Sequence, residues 1–161
     1  MKLKVKDQIP DSKIFHLVDG EPKEQNISEV LGVNKIILFG LPGAFTTTCS
    51  KFHLPGFVAN AQKILDKGID KIFCLAVNDP YVMNAWGEEN NIENNIKMLA
   101  DPYLSFTKSI GAEIDRNFRG MGTRSSRYAM IIHNLQVQNI QEEEETKNCR
   151  ISSADNILSI I

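Results

Sequence analysis

The chain has 161 residues, of which 42% are hydrophobic and 24% charged, with a formal net charge of −2. That length suits one domain spanning residues 1–161 with a core of its own. The near-balanced charge argues against a nucleic-acid partner or an anionic membrane surface held by bulk electrostatics. No apolar run approaches the ~20 residues of a membrane span. The start, MKLKVKDQIP, alternates apolar and charged residues instead of forming an apolar signal region, so the expected compartment is cytoplasmic.

In chain order, turn punctuation at Asp11 and at Asp19-Gly20-Glu21-Pro22 separates short alternating runs, which predicts hairpin strands. Ser28 to Gly32 reads as one helical turn. Lys35 to Leu41 (KIILFGL) is a continuous apolar run that fits a strand buried on both faces, ended by Pro42-Gly43. A polar stretch, Thr46-Thr47-Thr48, leads into a helix expected from about Cys49 to Lys67, with a kink at Pro55. Lys71 to Val77 is a second buried strand. Asp79-Pro80 reads as an N-cap with proline in the first turn, opening a helix to about Glu89. A short strand at Lys97 to Ala100, a short helix at Ser105 to Ile110 and a hairpin of Tyr128 to His133 with Val137 to Ile140 follow. The acidic run Glu142 to Glu145 reads as a solvated loop, and a closing amphipathic helix begins near Ser152. This order predicts a thioredoxin-like α/β fold. A central mixed sheet is flanked by helices, with an amino-terminal hairpin and an inserted helix-strand segment between Asp79 and Gly111. Buried strands followed by helices place functional groups at the strands' carboxyl ends, where Pro42 to Cys49 lies.

Three cysteines, Cys49, Cys74 and Cys149, are odd in number and widely spaced. A disulfide scaffold is therefore not expected, and closely spaced redox or zinc pairs are missing. One reactive thiol, a pair formed only in turnover, or three buried inert cysteines remain open. Cys74 sits inside a predicted buried strand and reads as inert.

Cys49 differs from the others in its context. A free thiol is only about 3% ionised at pH 7, and the thiolate is the nucleophile. A first-turn position at a helix start is worth about 0.3–1 kcal/mol to an anion, up to ~2 when partly buried. At ~1.4 kcal/mol per pKa unit that amounts to about one unit or less, so a nearby cation is needed as well. On this element alone, a structural and a reactive cysteine weigh equally.

The surrounding residues tip the balance. Pro42-Gly43-Ala44-Phe45-Thr46-Thr47-Thr48-Cys49-Ser50 is followed by His53-Leu54-Pro55-Gly56-Phe57, Cys74 to Asp79, Trp86-Gly87, Ala100-Asp101-Pro102 and Gly120 to Met130. This ordered set resembles the peroxiredoxin family, specifically its peroxiredoxin-5 (type II, atypical) subfamily, over nearly the whole chain. The resemblance implies that Cys49 is the peroxidatic cysteine, Thr46 the peroxide-orienting threonine, Pro42 a shield against water and Arg127 the activating cation. It implies reduction of hydrogen peroxide and organic hydroperoxides through a Cys49 sulfenic acid. The chain departs from the family's Thr-Pro-x-Cys pattern by carrying Thr47 where proline is usual.

The resemblance further implies no resident cofactor or metal. It implies an external thiol reductant (glutathione, glutaredoxin or thioredoxin), with Cys149 as a candidate resolving cysteine, and a homodimer packed near the site, with Trp86, read as a core or interface residue, a candidate contact. His53 reads as a packing residue that could tune the thiolate or meet the reductant, and His16 and His133 as structural. Gly120 and Gly122 read as loop glycines, since no phosphate-loop signature accompanies them. A non-catalytic thioredoxin-like interaction or chaperone module is the alternative from another class. A cysteine hydrolase would need a histidine with an orienting carboxylate or amide, and no such pattern is evident.

Overall fold

The computed structural model describes residues 1–161. Its strands are β1 (Lys13–Val18), β2 (Glu21–Asn26), β3 (Lys35–Gly40), β4 (Lys71–Ala76), β5 (Ile96–Ala100), β6 (Glu113–Asp115), β7 (Thr123–Ser125), β8 (Tyr128–His133) and β9 (Gln136–Glu142). The α-helices are α1 (Ile27–Leu31), α2 (Leu54–Asp66), α3 (Pro80–Glu89), α4 (Ser105–Ser109) and α5 (Ala154–Ile160). Seven strands form one mixed sheet in the order β2-β1-β5-β4-β3-β8-β9, while β6 and β7 pair separately. The expected thioredoxin-like arrangement is therefore present. The two apolar runs, β3 and β4, are parallel neighbours near its centre. The helix-strand segment contributes α3 and β5, and β5 joins the sheet parallel to β4.

The period-2 pleat explains why β3 is apolar throughout. Ile37 and Phe39 face a core shared with Phe57, Ile64, Trp86 and Ile157 from α2, α3 and α5. Ile36 and Leu38 face a second core with Leu31, Phe106 and Ile110 under α1 and α4. Pro22 is tolerated because β2 is an edge strand. Asp79 caps α3 as its pattern requires, its carboxylate accepting from the Val82 N–H at 2.9 Å. Ser153 caps α5 in the same way.

Gly40 is set by close approach. It lies opposite Tyr128 in the β3–β8 ladder, and a Cβ there would fall 2.3 Å from the Tyr128 ring. Gly120 and Gly122 both take positive φ, as loop glycines should.

The segment after Cys49 departs from the expected single helix. Residues Cys49–His53 form a π-type turn, and α2 starts only at Leu54. The cause lies in Pro55, which has no N–H and whose ring crowds the carbonyl four residues back. The backbone widens by one residue just before it, so that the Leu54 N–H bonds to the Cys49 carbonyl. The predicted kink thus takes the form of a π-turn, with Pro55 in the first turn of the following helix. The short β6–β7 pair and the 3-10 turn Asn117–Arg119 carry no apolar periodicity that would mark them in the sequence.

No helix is long and apolar enough to cross a membrane.

Candidate active site

The site is assembled by strand register. Because Gly40 faces Tyr128 across the antiparallel β3–β8 pair, the residue before β8, Arg127, falls beside the chain leaving β3. That exit carries Pro42 to Cys49. Strand-edge arithmetic therefore brings together residues 78 positions apart. Further on, the Arg124 guanidinium donates to the Pro42 carbonyl at 3.3 Å and Asn78 Oδ1 accepts from the Ala44 N–H at 2.9 Å, fixing the loop.

Arg127 is 1% exposed, which rules out a role as a surface charge. Its Nη2 donates to Cys49 Sγ at 3.2 Å. Nε and Nη2 both donate to the Thr146 carbonyl, at 3.1 and 3.0 Å. Nη1 donates to His53 Nδ1 at 2.9 Å. Four of the five guanidinium N–H groups are thereby engaged. Arg127 appears in none of the ion pairs, so no carboxylate competes with the sulfur for direct contact. A positive charge at this distance stabilises an anionic sulfur.

His53, like Cys49, is fully buried. Arginine can only donate, so Nδ1 must be the acceptor and the proton sits on Nε2, which donates to the Ser152 carbonyl at 3.0 Å. Burial, then the Arg127 charge, push the imidazole pKa down to about 3, against the pull of the Ser152 carbonyl. His53 is a neutral orienting group. The π-turn keeps it on the Cys49 side, so both residues reach one guanidinium.

Thr46 and Pro42 border a cleft of about 1070 Å³, together with Thr48, Arg116, Arg127 and Thr146. Thr46 Oγ1 donates to the Gly43 carbonyl at 2.8 Å, which leaves its lone pairs to accept from a ligand. Cys49 itself is fully buried behind the cleft wall. Contact between its sulfur and a molecule in the cleft requires a local movement of the residues around it.

The other expected residues fall elsewhere. Cys74 is buried in β4 on the same face as Cys49, and burial, followed by the Cys49 charge, pushes its thiol well up. Cys149 is a half-buried free thiol in the loop before α5. Burial raises it, partly offset by Arg127. Trp86 is 1% exposed within its own chain, its Nε1 donating to Ser50 Oγ at 3.1 Å. Of the two readings for Trp86, core and interface, the core one holds within this chain, and the exposed aromatic next to it is Phe45.

The acidic run was expected to be solvated, and at Glu143 it is not. This side chain is 8% exposed. Its Oε1 accepts from the Arg150 N–H at 2.6 Å, the Ser152 N–H at 3.0 Å and Ser152 Oγ at 2.9 Å. Burial works to raise its pKa, but the hydrogen bonds from Ser152 and Arg150 outweigh it and hold the carboxyl below its usual range. The only available sequence signal was a serine and an acidic residue at loop spacing, which is too common to single out.

The family model described as Redoxin matches residues 4–158. Peroxiredoxin-2D of Arabidopsis thaliana is 38% identical over 158 residues, covering 98% of this chain and 97% of that protein. The crystal structure of reduced Prx3 in complex with H2O2 from Vibrio vulnificus is 40% identical, with a TM-score of 0.92 and 98% of each chain covered. Peroxiredoxin 5 from Alvinella pompejana is 34% identical, with a TM-score of 0.85, covering 98% of this chain and 96% of that one. With a buried thiol held against a buried arginine at the end of β3, and with relatives matching end to end, this chain belongs to the redoxin family as a type II peroxiredoxin.

Proposed function

We propose that Cys49 is the peroxidatic cysteine of this thiol peroxidase and that it reduces hydrogen peroxide and organic hydroperoxides. The observation that carries this is the Arg127 Nη2–H aimed at Cys49 Sγ at 3.2 Å in a buried setting. The thiolate attacks the distal peroxide oxygen, so that an S–O bond forms as the O–O bond breaks. The leaving oxygen departs as hydroxide or alkoxide and takes a proton to become water or alcohol. Cys49 is left as sulfenic acid. Arg127 stabilises first the thiolate and then the charge developing on the departing oxygen. Thr46 accepts from the peroxide O–H while its own O–H continues to donate to the Gly43 carbonyl. Pro42, buried at the cleft edge, limits water at the sulfur.

An external thiol, glutathione or glutaredoxin, then regenerates Cys49. One thiol attacks the sulfenic sulfur and releases water, and a second resolves the mixed disulfide. Supporting this, the loop carrying Cys149 is tied down on its carboxyl side by Glu143 through Arg150 and Ser152. A Cys49–Cys149 bridge is the second reading, favoured by the proximity that lets the Cys49 charge act on the Cys149 thiol. Non-reducing mass spectrometry after one equivalent of peroxide separates the two. A loss of two hydrogens with Cys49 joined to Cys149 supports the bridge, whereas a sulfenic acid trapped by dimedone at Cys49 supports the external thiol.

Peroxide consumption with a thiol donor is expected, and Cys49→Ser abolishes it. Turnover at the background rate in the native protein would leave only a non-catalytic thioredoxin-like module. A homodimer packed near the site belongs to the same proposal, with exposed Phe45 as its aromatic contact. Sedimentation of the native protein against Phe45→Ser tests it.

A further inference from the structure

Glu143 makes no contact with Cys49, yet it closes a circuit around it. Its carboxylate gathers Arg150 and Ser152, so the segment from 143 to 152 is drawn into a closed loop. Its backbone N–H also bonds to the Arg127 carbonyl at 2.9 Å, anchoring the loop to the residue it serves. From within that loop two carbonyls face the site. Thr146 receives two of the guanidinium N–H groups, and Ser152 receives the His53 N–H. His53 in turn receives a third guanidinium N–H. Every Arg127 contact except the one to sulfur therefore ends, directly or through His53, on the loop that Glu143 closes.

We propose that Glu143 is a positioning residue for the peroxidase reaction, holding Arg127 against Cys49 through the 143–152 loop. This rests on the reading of Cys49 as the peroxidatic thiol. The physical case is one of competing anions. A carboxylate in direct contact with Arg127 would take the guanidinium's charge-assisted bonds away from the sulfur. Placed behind Ser152, Glu143 fixes the orientation of the arginine without occupying it. One carboxylate oxygen, Oε1, accepts all three donors, in a site where a lost acceptor strands buried N–H groups. The titratable groups packed around the Arg127–Cys49 pair are neutral His53 from the π-turn, Cys74 from β4, and Glu143 and Cys149 from the loop. Arg116 adds a bond to Thr146 Oγ1 from the far side of the loop.

The test compares native protein, Glu143→Gln, Glu143→Ala and Cys49→Ser in single-turnover oxidation by hydrogen peroxide. Cys49 sulfenic acid is trapped with dimedone and the rate is followed from pH 5 to 9. Glu143→Ala is expected to move the midpoint of the rate profile up by about one pH unit, an about tenfold loss of rate below the midpoint. Glu143→Gln keeps an acceptor in place and is expected to fall between the two. Thermal unfolding monitored by circular dichroism confirms that each variant is folded at the assay temperature. Should Glu143→Ala fail to fold, the nearly isosteric Glu143→Gln decides alone. A folded variant with the native midpoint and native rate overturns the proposal, even if its Tm has dropped, because a purely structural clasp would lower stability and leave the profile in place. Absence of Cys49 sulfenic acid in the native protein is a different failure, and would overturn the peroxidatic reading itself.

Discussion

Arg127 and His53 meet as a cation and a neutral imidazole, Nη1–H to Nδ1 at 2.9 Å, with the ring proton committed to Ser152 on the other side. Protonating His53 would set two positive charges against each other in a buried space, so the ring stays neutral down to about pH 3.

The stability consequence has a definite sign. A histidine in the unfolded chain takes up its proton near 6.5, whereas the folded ring does so only at about 3. Between those values the unfolded state binds more protons, so stability falls as the pH falls, by at most about 1.4 kcal/mol per pH unit from this group. Glu143 adds a loss of the same sign, but only below its unfolded value of 4.5. Asp101, raised by burial, works in the opposite direction in native protein and variant alike. Urea midpoints measured from pH 7 to 4.5 are expected to decline more steeply for the native protein than for His53→Asn, which keeps an acceptor for Arg127 but has no titrating ring. Parallel slopes would show that the ring is not held neutral.

Arg127→Lys is expected to slow Cys49 oxidation at pH 7 by up to roughly 10- to 1000-fold, the range lost when an opposite charge no longer lies within hydrogen-bonding distance. Lysine carries the same charge, but its compact ammonium cannot serve Thr146, His53 and Cys49 from one plane. Stopped-flow kinetics with excess peroxide measure this. A near-native rate for the lysine variant would mean that charge alone suffices.

Thr47 is exposed and helical, one residue after Thr46, whose carbonyl accepts from the Ser50 N–H. That is a first-turn position, where proline's fixed φ fits and its missing N–H costs nothing. Thr47→Pro is expected to stabilise the fold by about 0.4–1 kcal/mol through the unfolded chain, a Tm increase of roughly 1–4 °C. Differential scanning calorimetry checks it. A lower Tm would show that the loop does not take the helical φ at this position.

Gly40→Ala places a methyl inside the Tyr128 ring envelope. The strands must separate or the ring must tilt, at a cost of about 1–3 kcal/mol, or a Tm lower by roughly 3–10 °C. Because the same register delivers Arg127, the peroxide reaction should slow as well. A variant that loses stability but keeps its rate would show that the ladder can yield without moving Arg127.

Much of this was legible in the sequence because it is local. KIILFGL and KIFCLAV are buried on both faces and read as such without any partner. The Asp79-Pro80 cap is a short-range signal, and Pro42, Thr46 and Cys49 lie on one loop. Arg127 could be placed at a strand mouth because β8 is itself an apolar run. The contacts that organise Arg127 were not legible. Thr146 acts through a carbonyl, which every residue possesses. Glu143 sits among acidic neighbours that really are exposed, and only the fold tells it apart from Glu144 and Glu145. The π-turn arises from Pro55 acting backwards on the chain, so periodicity alone gives a kink and not its geometry. Burial of Trp86 depends on α3 lying across the sheet, a tertiary fact.

The Trp86–Ser50 bond has a practical consequence. The chain contains one tryptophan, and its indole N–H is tied to the hydroxyl of the residue next to Cys49. Any movement of the π-turn that exposes the sulfur changes the polarity and hydrogen bonding of that indole. The protein therefore carries its own fluorophore at the reacting turn, and emission from an unlabelled sample can time the oxidation and the recovery of Cys49 in one trace.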